Sequence, residues 1–120
     1  MRLRTPYQRK VFFLREYQEM VKRMWRGEFV REKKKEIREE IRREFDKANE
    51  TIDALEIGLK KLGSDDPTRE NVVKTIESKK KDLEQFKQQI DSLDNEINEV
   101  NELLKGYDEG LDLLKELINE

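Results

Sequence analysis

The side chains nearest to a catalytic arrangement are three pairs of neighbouring acids: Glu39 and Glu40, Asp65 and Asp66, and Asp108 and Glu109. Paired carboxylates can do acid–base chemistry, or hold a metal ion, when a further group sets their pKa or completes the coordination shell. No such group stands at a useful spacing from any of the three pairs. We therefore interpret them as solvated helix surface or helix caps.

The sequence also offers few candidates for nucleophiles, general bases, metal ligands or phosphate-binding loops. The chain has no Cys and no His, which excludes thiolate nucleophiles and removes the commonest general base and metal ligand. The Gly58–Gly63 and Gly106–Gly110 stretches lack the Lys-Ser/Thr of a phosphate-binding loop. The sequence predicts a protein that is not an enzyme and that has no catalytic, cofactor-binding or metal site of its own.

Charge divides the chain into a basic and an acidic half. Residues 1–47 carry 16 Lys and Arg against 9 acids, and residues 48–120 carry 10 against 19. The residues before Glu16 include five cations and no acid, compatible with a mitochondrial import signal or a phosphate-facing arm: Arg2, Arg4, Arg9, Lys10 and Arg15. Pairing of the basic half with the acidic half explains the same pattern.

The basic run 31–43 could bind RNA or acidic lipid. Its interleaved Glu residues cancel much of the field, and the net charge is only -2. We therefore rank nucleic-acid binding below protein binding.

Composition favours long helices. The 120 residues are 34% hydrophobic and 45% charged, too polar for a thick globular core and suited to helices that bury one stripe each. No apolar run approaches the roughly 20 residues that a membrane-spanning helix needs. We expect a single helical domain over 1–120.

The pattern of apolar residues predicts three helices, over about 6–26, 28–62 and 67–119. Thr5 and Gln8 form a capping box that starts the first helix, and Gly27 is expected to end or kink it. Gly63 should take the left-handed conformation that ends the second helix. The turn is predicted at 63–66, and a possible break in the last helix at 106–110.

Two of these helices carry heptad seams. Spacings of four and three join Ile41, Phe45, Ala48, Ile52, Leu55, Leu59 and Leu62. The last helix keeps one heptad position at Ile76, Leu83, Ile90, Ile97, Leu104, Leu111 and Ile118, and the other at Phe86, Leu93, Val100, Tyr107 and Leu114. A turn this short predicts an antiparallel hairpin, with the basic run beside acids of the last helix and Gly27 near residue 103.

Projection of residues 7–25 at 100° per residue resolves two apolar stripes about 100° apart. The first stripe is Tyr7, Val11, Leu14, Gln18, Val21 and Trp25, with Gln18 as its polar member. The second stripe is Phe13, Tyr17, Met20 and Met24. Since one stripe suffices for one neighbour, we expect this helix to pack on residues 103–119 and on a second body. The predicted partner-binding residues are Val11, Phe13, Leu14, Tyr17, Met20, Val21, Met24 and Trp25.

The stretches Gln8-Arg9-Lys10-Val11-Phe12-Phe13-Leu14 and Ile41-Arg42-Arg43-Glu44-Phe45, together with Trp25, resemble elements of the small mitochondrial LYR-motif family, over about residues 5–62. Arg15 and Glu16 stand where that family has Tyr and a basic residue. The resemblance implies a three-helix bundle, mitochondrial localisation, and binding of acyl carrier protein, whose acyl-phosphopantetheine enters the bundle. It also implies that Arg42 and Arg43 contact this acidic partner and that Phe45 is a core position.

These observations together predict an all-α, elongated three-helix bundle: an antiparallel hairpin or coiled coil with an additional N-terminal helix. We expect a non-catalytic structural or assembly subunit of a larger protein complex, mitochondrial and LYR-like. The alternatives are a self-associating coiled-coil tether or chaperone-like arm, an RNA-binding accessory protein, and a cytoplasmic location.

Overall fold

The chain forms two long helices. The structure is a computed structural model, and it describes residues 5–120. Helix α1 spans Pro6–Lys61 and helix α2 spans Thr68–Asn119, with no strand in the described range. The predicted all-α class is confirmed, and the two helices are arranged as a hairpin.

The expected separate N-terminal helix is not present, because α1 continues without a break through Gly27. A three-helix bundle is therefore not shown. One Gly in a helix interior costs only about 1 kcal/mol, which strong helix formers on both sides offset. Gly27 serves close packing instead: a Cβ on it would lie 2.8 Å from Cδ2 of Leu104. This contact also confirms the predicted level of Gly27 beside residue 103.

The expected break at 106–110 is likewise wrong, since α2 is helical throughout this stretch. A Cβ on Gly110 would lie 2.7 Å from Sδ of Met20, so this glycine admits a thioether from α1. A Cβ on Gly106 would meet no atom within 4 Å. Neither glycine has a positive φ, so both remain compatible with a helix.

The turn uses side chains rather than a left-handed glycine. Gly63 does not have a positive φ, contrary to expectation, and α1 ends two residues before it. Nη1 of Arg69 donates to the carbonyl oxygens of Leu59 at 3.2 Å and Leu62 at 3.4 Å. A guanidinium from the first turn of α2 thus donates to carbonyls at the end of α1, one of which, Leu59, also accepts from the N–H of Leu62 at 3.2 Å.

Each helix has a side-chain cap at its start. In the predicted capping box, the Thr5 N–H donates to Oε1 of Gln8 at 3.0 Å and the Gln8 N–H donates to Oγ1 of Thr5 at 3.2 Å. At α2, Oδ1 of Asp66 accepts from the N–H of Thr68 at 2.9 Å and from its hydroxyl at 2.7 Å. The predicted start of this helix next to Pro67 is confirmed.

The chain divides into two compact units. The turn unit is Lys35–Asn95, and the terminal unit combines Met1–Lys34, of which residues 5–34 are described, with Glu96–Glu120. Buried apolar residues of the turn unit are Ala48, Ile52 and Ile76, and those of the terminal unit are Ile97, Leu104 and Leu111. All six lie on the predicted seams, so in each unit the core is the contact between α1 and α2.

A candidate protein-interaction surface

Two members of the second stripe, Phe13 and Met20, lie beside α2 within the terminal unit. Phe13 lines a depression together with Leu117 and Ile118, and Met20 covers Gly110. All four members of the stripe, which include Tyr17 and Met24, are half-buried. Phe13 and Met20 therefore lie at the contact between the two helices of this unit, whereas Tyr17 lines a depression of α1 together with Val21 and Trp25.

The first stripe lies on a different side of α1 and is largely exposed. Tyr7 is 77% exposed, Leu14 44% and Trp25 63%, while Val11 and Val21 are half-buried. Two shallow depressions along this stripe are lined by residues of α1, one around Val11 and one between Tyr17 and Trp25. Of the predicted partner-binding residues, Phe13 and Met20 thus lie beside α2, and Leu14 and Trp25 are exposed.

Positive charge borders the first stripe. Arg15 and Lys22 directly follow Leu14 and Val21 in the sequence, and both are exposed. Lys22 Nζ lies 3.4 Å from Glu19 Oε1 in an exposed pair of the kind that contributes little stability. A partner at this stripe would meet an apolar strip with a cationic edge.

A second apolar stripe lies on α2 in the same unit and is exposed at Leu103, Gly106 and Leu113. Its members follow spacings of three and four: Leu103, Gly106, Gly110, Leu113 and Leu117. Leu103 is 51% exposed and Leu113 57%. We call this set the leucine stripe.

Three cations of the basic run take seam positions and pair across the helices, each within its own unit. In the turn unit Arg38 binds Asp94, with Nη2 to Oδ2 at 3.4 Å, and hydrogen bonding to this carboxylate raises the pKa of the guanidinium. In the terminal unit Lys34 Nζ lies 3.1 Å from Glu96 and Arg31 Nη1 donates to Asn101 Oδ1 at 3.4 Å. For Arg38 and Lys34 the predicted facing of opposite charges is observed.

These pairs reveal a seam that sequence reasoning missed. The four-three spacing of the 41–62 seam continues backwards through Arg38, Lys34, Arg31 and Gly27 into the second stripe. Hydropathy hides this continuation because three consecutive seam positions are charged. The spacing itself was the available signal.

Arg42 and Arg43, the acidic-partner contacts implied by the LYR resemblance, are exposed in the turn unit. Arg42 lines a depression with Phe45, Lys87 and Ile90. Phe45 is half-buried on the seam. Of the cations before Glu16, Arg2 and Arg4 lie outside the described residues.

Two further observations concern the described part of the chain. Its acids form no cluster of three that could hold a metal ion. Neither described helix contains a segment sufficiently long and apolar to cross a membrane. The candidate site is the surface formed by the first stripe and its cationic edge, because Tyr7, Leu14 and Trp25 are exposed there.

No protein-family profile, curated protein or solved structure matches this chain.

Proposed function

We propose that this protein is a non-catalytic subunit of a protein complex and that it binds its partner by helix packing along the first stripe. One observation carries the proposal: a heptad-spaced apolar stripe leaves Tyr7, Leu14 and Trp25 exposed although Phe13 and Met20 of the second stripe already contact α2. Heptad spacing is the pattern by which one helix packs along another.

The aromatic residues of the stripe support a binding role. Trp and Tyr are enriched at protein interfaces because they bring a large apolar body and one polar group. Trp25 and Tyr7 stand at the two ends of the stripe with most of their surface open to solvent. If a partner covered these two side chains, each Å² of apolar surface removed from water would contribute roughly 25 cal/mol of favourable free energy.

The pairing of the basic run argues against an RNA-binding role. Arg38 and Lys34 reach carboxylates on α2 within their own units, so their charge is partly neutralised by the protein itself. Acyl carrier binding and a mitochondrial location stay predictions from the LYR resemblance.

The decisive experiment compares the two stripes. Tagged wild type is purified from native cells with its bound proteins, beside the double variant Leu14→Ala with Trp25→Ala and beside Met20→Ala. The double variant should lose the co-purifying partner and keep its helicity by circular dichroism. Met20→Ala should instead lower the stability of the terminal unit, because Met20 packs on Gly110.

The matched control is Ile37→Ala with Ile57→Ala, which removes two exposed apolar side chains from the turn unit. It should retain the partner. Equal loss of the partner in control and test variants, or retention in both, would refute binding by the first stripe. Recovery of an acyl carrier protein that Arg42→Glu with Arg43→Glu abolishes would support the LYR-like alternative.

A further inference from the structure

The leucine stripe has the properties that the first stripe requires of a partner. It is apolar, it follows heptad spacing, and it lies on α2 of the same protein. The residue before each of three members is an exposed glutamate: Glu102 before Leu103, Glu109 before Gly110, and Glu116 before Leu117. The leucine stripe thus has an acidic edge where the first stripe has a cationic one.

We propose that the first stripe of one copy binds the leucine stripe of a second copy, with α1 and α2 parallel. This inference rests on the proposed function, whose partner site it assigns to another molecule of the same chain.

The charge pattern selects the parallel orientation. In a parallel coiled coil, a residue directly before a seam position of one helix lies beside a residue directly after a seam position of the other helix. The second residue stands five heptad positions further along than the first. Arg15 and Lys22 follow members of the first stripe, whereas the glutamates precede members of the leucine stripe. Glu102 then meets Arg15 and Glu109 meets Lys22. An antiparallel pair would place these charges on opposite sides.

The same register also matches side-chain volumes. Its layers pair Val11 with Leu103, Leu14 with Gly106, Gln18 with Gly110, Val21 with Leu113, and Trp25 with Leu117. Gly106 thus stands opposite Leu14, and a Cβ on Gly106 would have no neighbour within 4 Å in one copy, whereas Gly110 is already covered by Met20 of its own copy. That open space is where Leu14 of the other copy would fit.

Pairing of two first stripes is less favourable on charge. In an antiparallel pair, Arg15 and Lys22 would meet the same cationic edge of the other copy, and in a parallel pair Arg15 would meet Lys10. Like charges in direct opposition disfavour an interface. Because the proposed contact joins two different surfaces, each added copy leaves one of each stripe free, and association continues into a chain or closes a ring.

The test uses charge reversal and light scattering. Arg15→Glu with Lys22→Glu makes the first variant, and Glu102→Lys with Glu109→Lys makes the second. Wild type should show a mass above the 14.5 kDa of one chain, rising with concentration. Each variant alone should need roughly tenfold or more higher concentration to associate, because like charges then face each other.

An equimolar mixture of the two variants should restore association, since each stripe again meets an opposite charge. A single chain carrying all four reversals should also associate, which keeps the test decisive if one double variant folds poorly. Lys81→Glu with Lys87→Glu, exposed in the turn unit, should behave as wild type. Failure of both the mixture and the fourfold variant to associate would overturn the proposal.

Orientation is tested by cross-linking, which is clean because the chain has no Cys. Copies with Leu14→Cys mixed with copies carrying Gly106→Cys should form a mixed disulfide on oxidation, and copies carrying Leu117→Cys should not. The reverse result would show antiparallel docking. Wild type that stays monomeric at every concentration would refute docking between copies, while the co-purification experiment would still decide whether the first stripe binds another protein.

Discussion

The turn unit and the terminal unit have the same heptad seam, but they differ in the apolar surface beside it. In the turn unit the large apolar side chains left exposed are Ile37 and Ile57. The terminal unit exposes Tyr7, Phe12, Leu14, Trp25, Phe29, Val30, Leu103 and Leu113. A helix with one neighbour needs one stripe, so the extra apolar residues of the terminal unit indicate further neighbours.

The strongest test of this difference contrasts a buried residue of the turn unit with an exposed one of the terminal unit. Ile76→Ala should lower the free energy of unfolding by about 2–4 kcal/mol, because it removes methyl groups from a packed seam. Leu14→Ala should lower it by less than about 1 kcal/mol, since Leu14 is 44% exposed. Urea unfolding followed by circular dichroism measures both, and equal losses would contradict an open first stripe.

A smaller change in the free energy of unfolding should distinguish a glycine that permits close packing from one that does not. Gly58→Ala should raise the free energy of unfolding by about 0.5–1 kcal/mol, since the new methyl group meets no atom within 4 Å and Ala favours helix. Gly27→Ala gains the same helix propensity but forces the buried Leu104 to move, at a cost of about 1–3 kcal/mol. Thermal unfolding should rank Gly58→Ala above wild type and Gly27→Ala below it. A Gly27→Ala variant as stable as Gly58→Ala would show that Leu104 yields freely.

The smallest effect is expected at the cap of the turn unit. Hydrogen bonds from the hydroxyl and the N–H of Thr68 lower the pKa of Asp66. The ionised carboxylate therefore stabilises the fold above the unfolded-state pKa of about 3.9, and this contribution is lost as the pH falls through the lower folded-state pKa. Asp66→Asn keeps a capping side chain without titrating.

The stability of Asp66→Asn should therefore fall less than that of wild type between about pH 5 and pH 2.5. Urea unfolding at the two pH values measures the difference, and Asp65→Asn controls for the loss of one negative charge from the turn. Identical acid sensitivity of wild type and Asp66→Asn would show that the cap is not coupled to titration.

The sequence was informative about the seams because burial and heptad spacing have one cause. Ile52, Ile76 and Leu111 were placed on seams from spacing alone, and all three are buried. The caps at Thr5 and Asp66 were also predictable, since they depend on residues within three positions of each other.

Gly27 and Gly63 could not be interpreted from the sequence because the function of a glycine depends on what lies opposite it. From the sequence alone Gly27 is interpreted as a helix break, whereas in the structure Leu104 fills the space of its missing side chain. From the sequence alone Gly63 is interpreted as the residue that ends α1, whereas in the structure Arg69 binds carbonyls at the end of this helix. The sequence also could not predict which of the two stripes on α1 packs on α2. Projection gives the angle between the stripes but not the direction of the neighbouring helix.

The neighbours of Phe13 in the terminal unit have a consequence for biosynthesis. Leu117 and Ile118, which lie beside it, are about 100 residues later in the chain, a contact of high sequence separation. At about 5–20 residues per second the ribosome needs on the order of 5–20 s to reach them. During that interval nascent α1 carries both apolar stripes without its helical neighbour, so Phe13 stays uncovered by Leu117 and Ile118 until synthesis of α2 is almost finished.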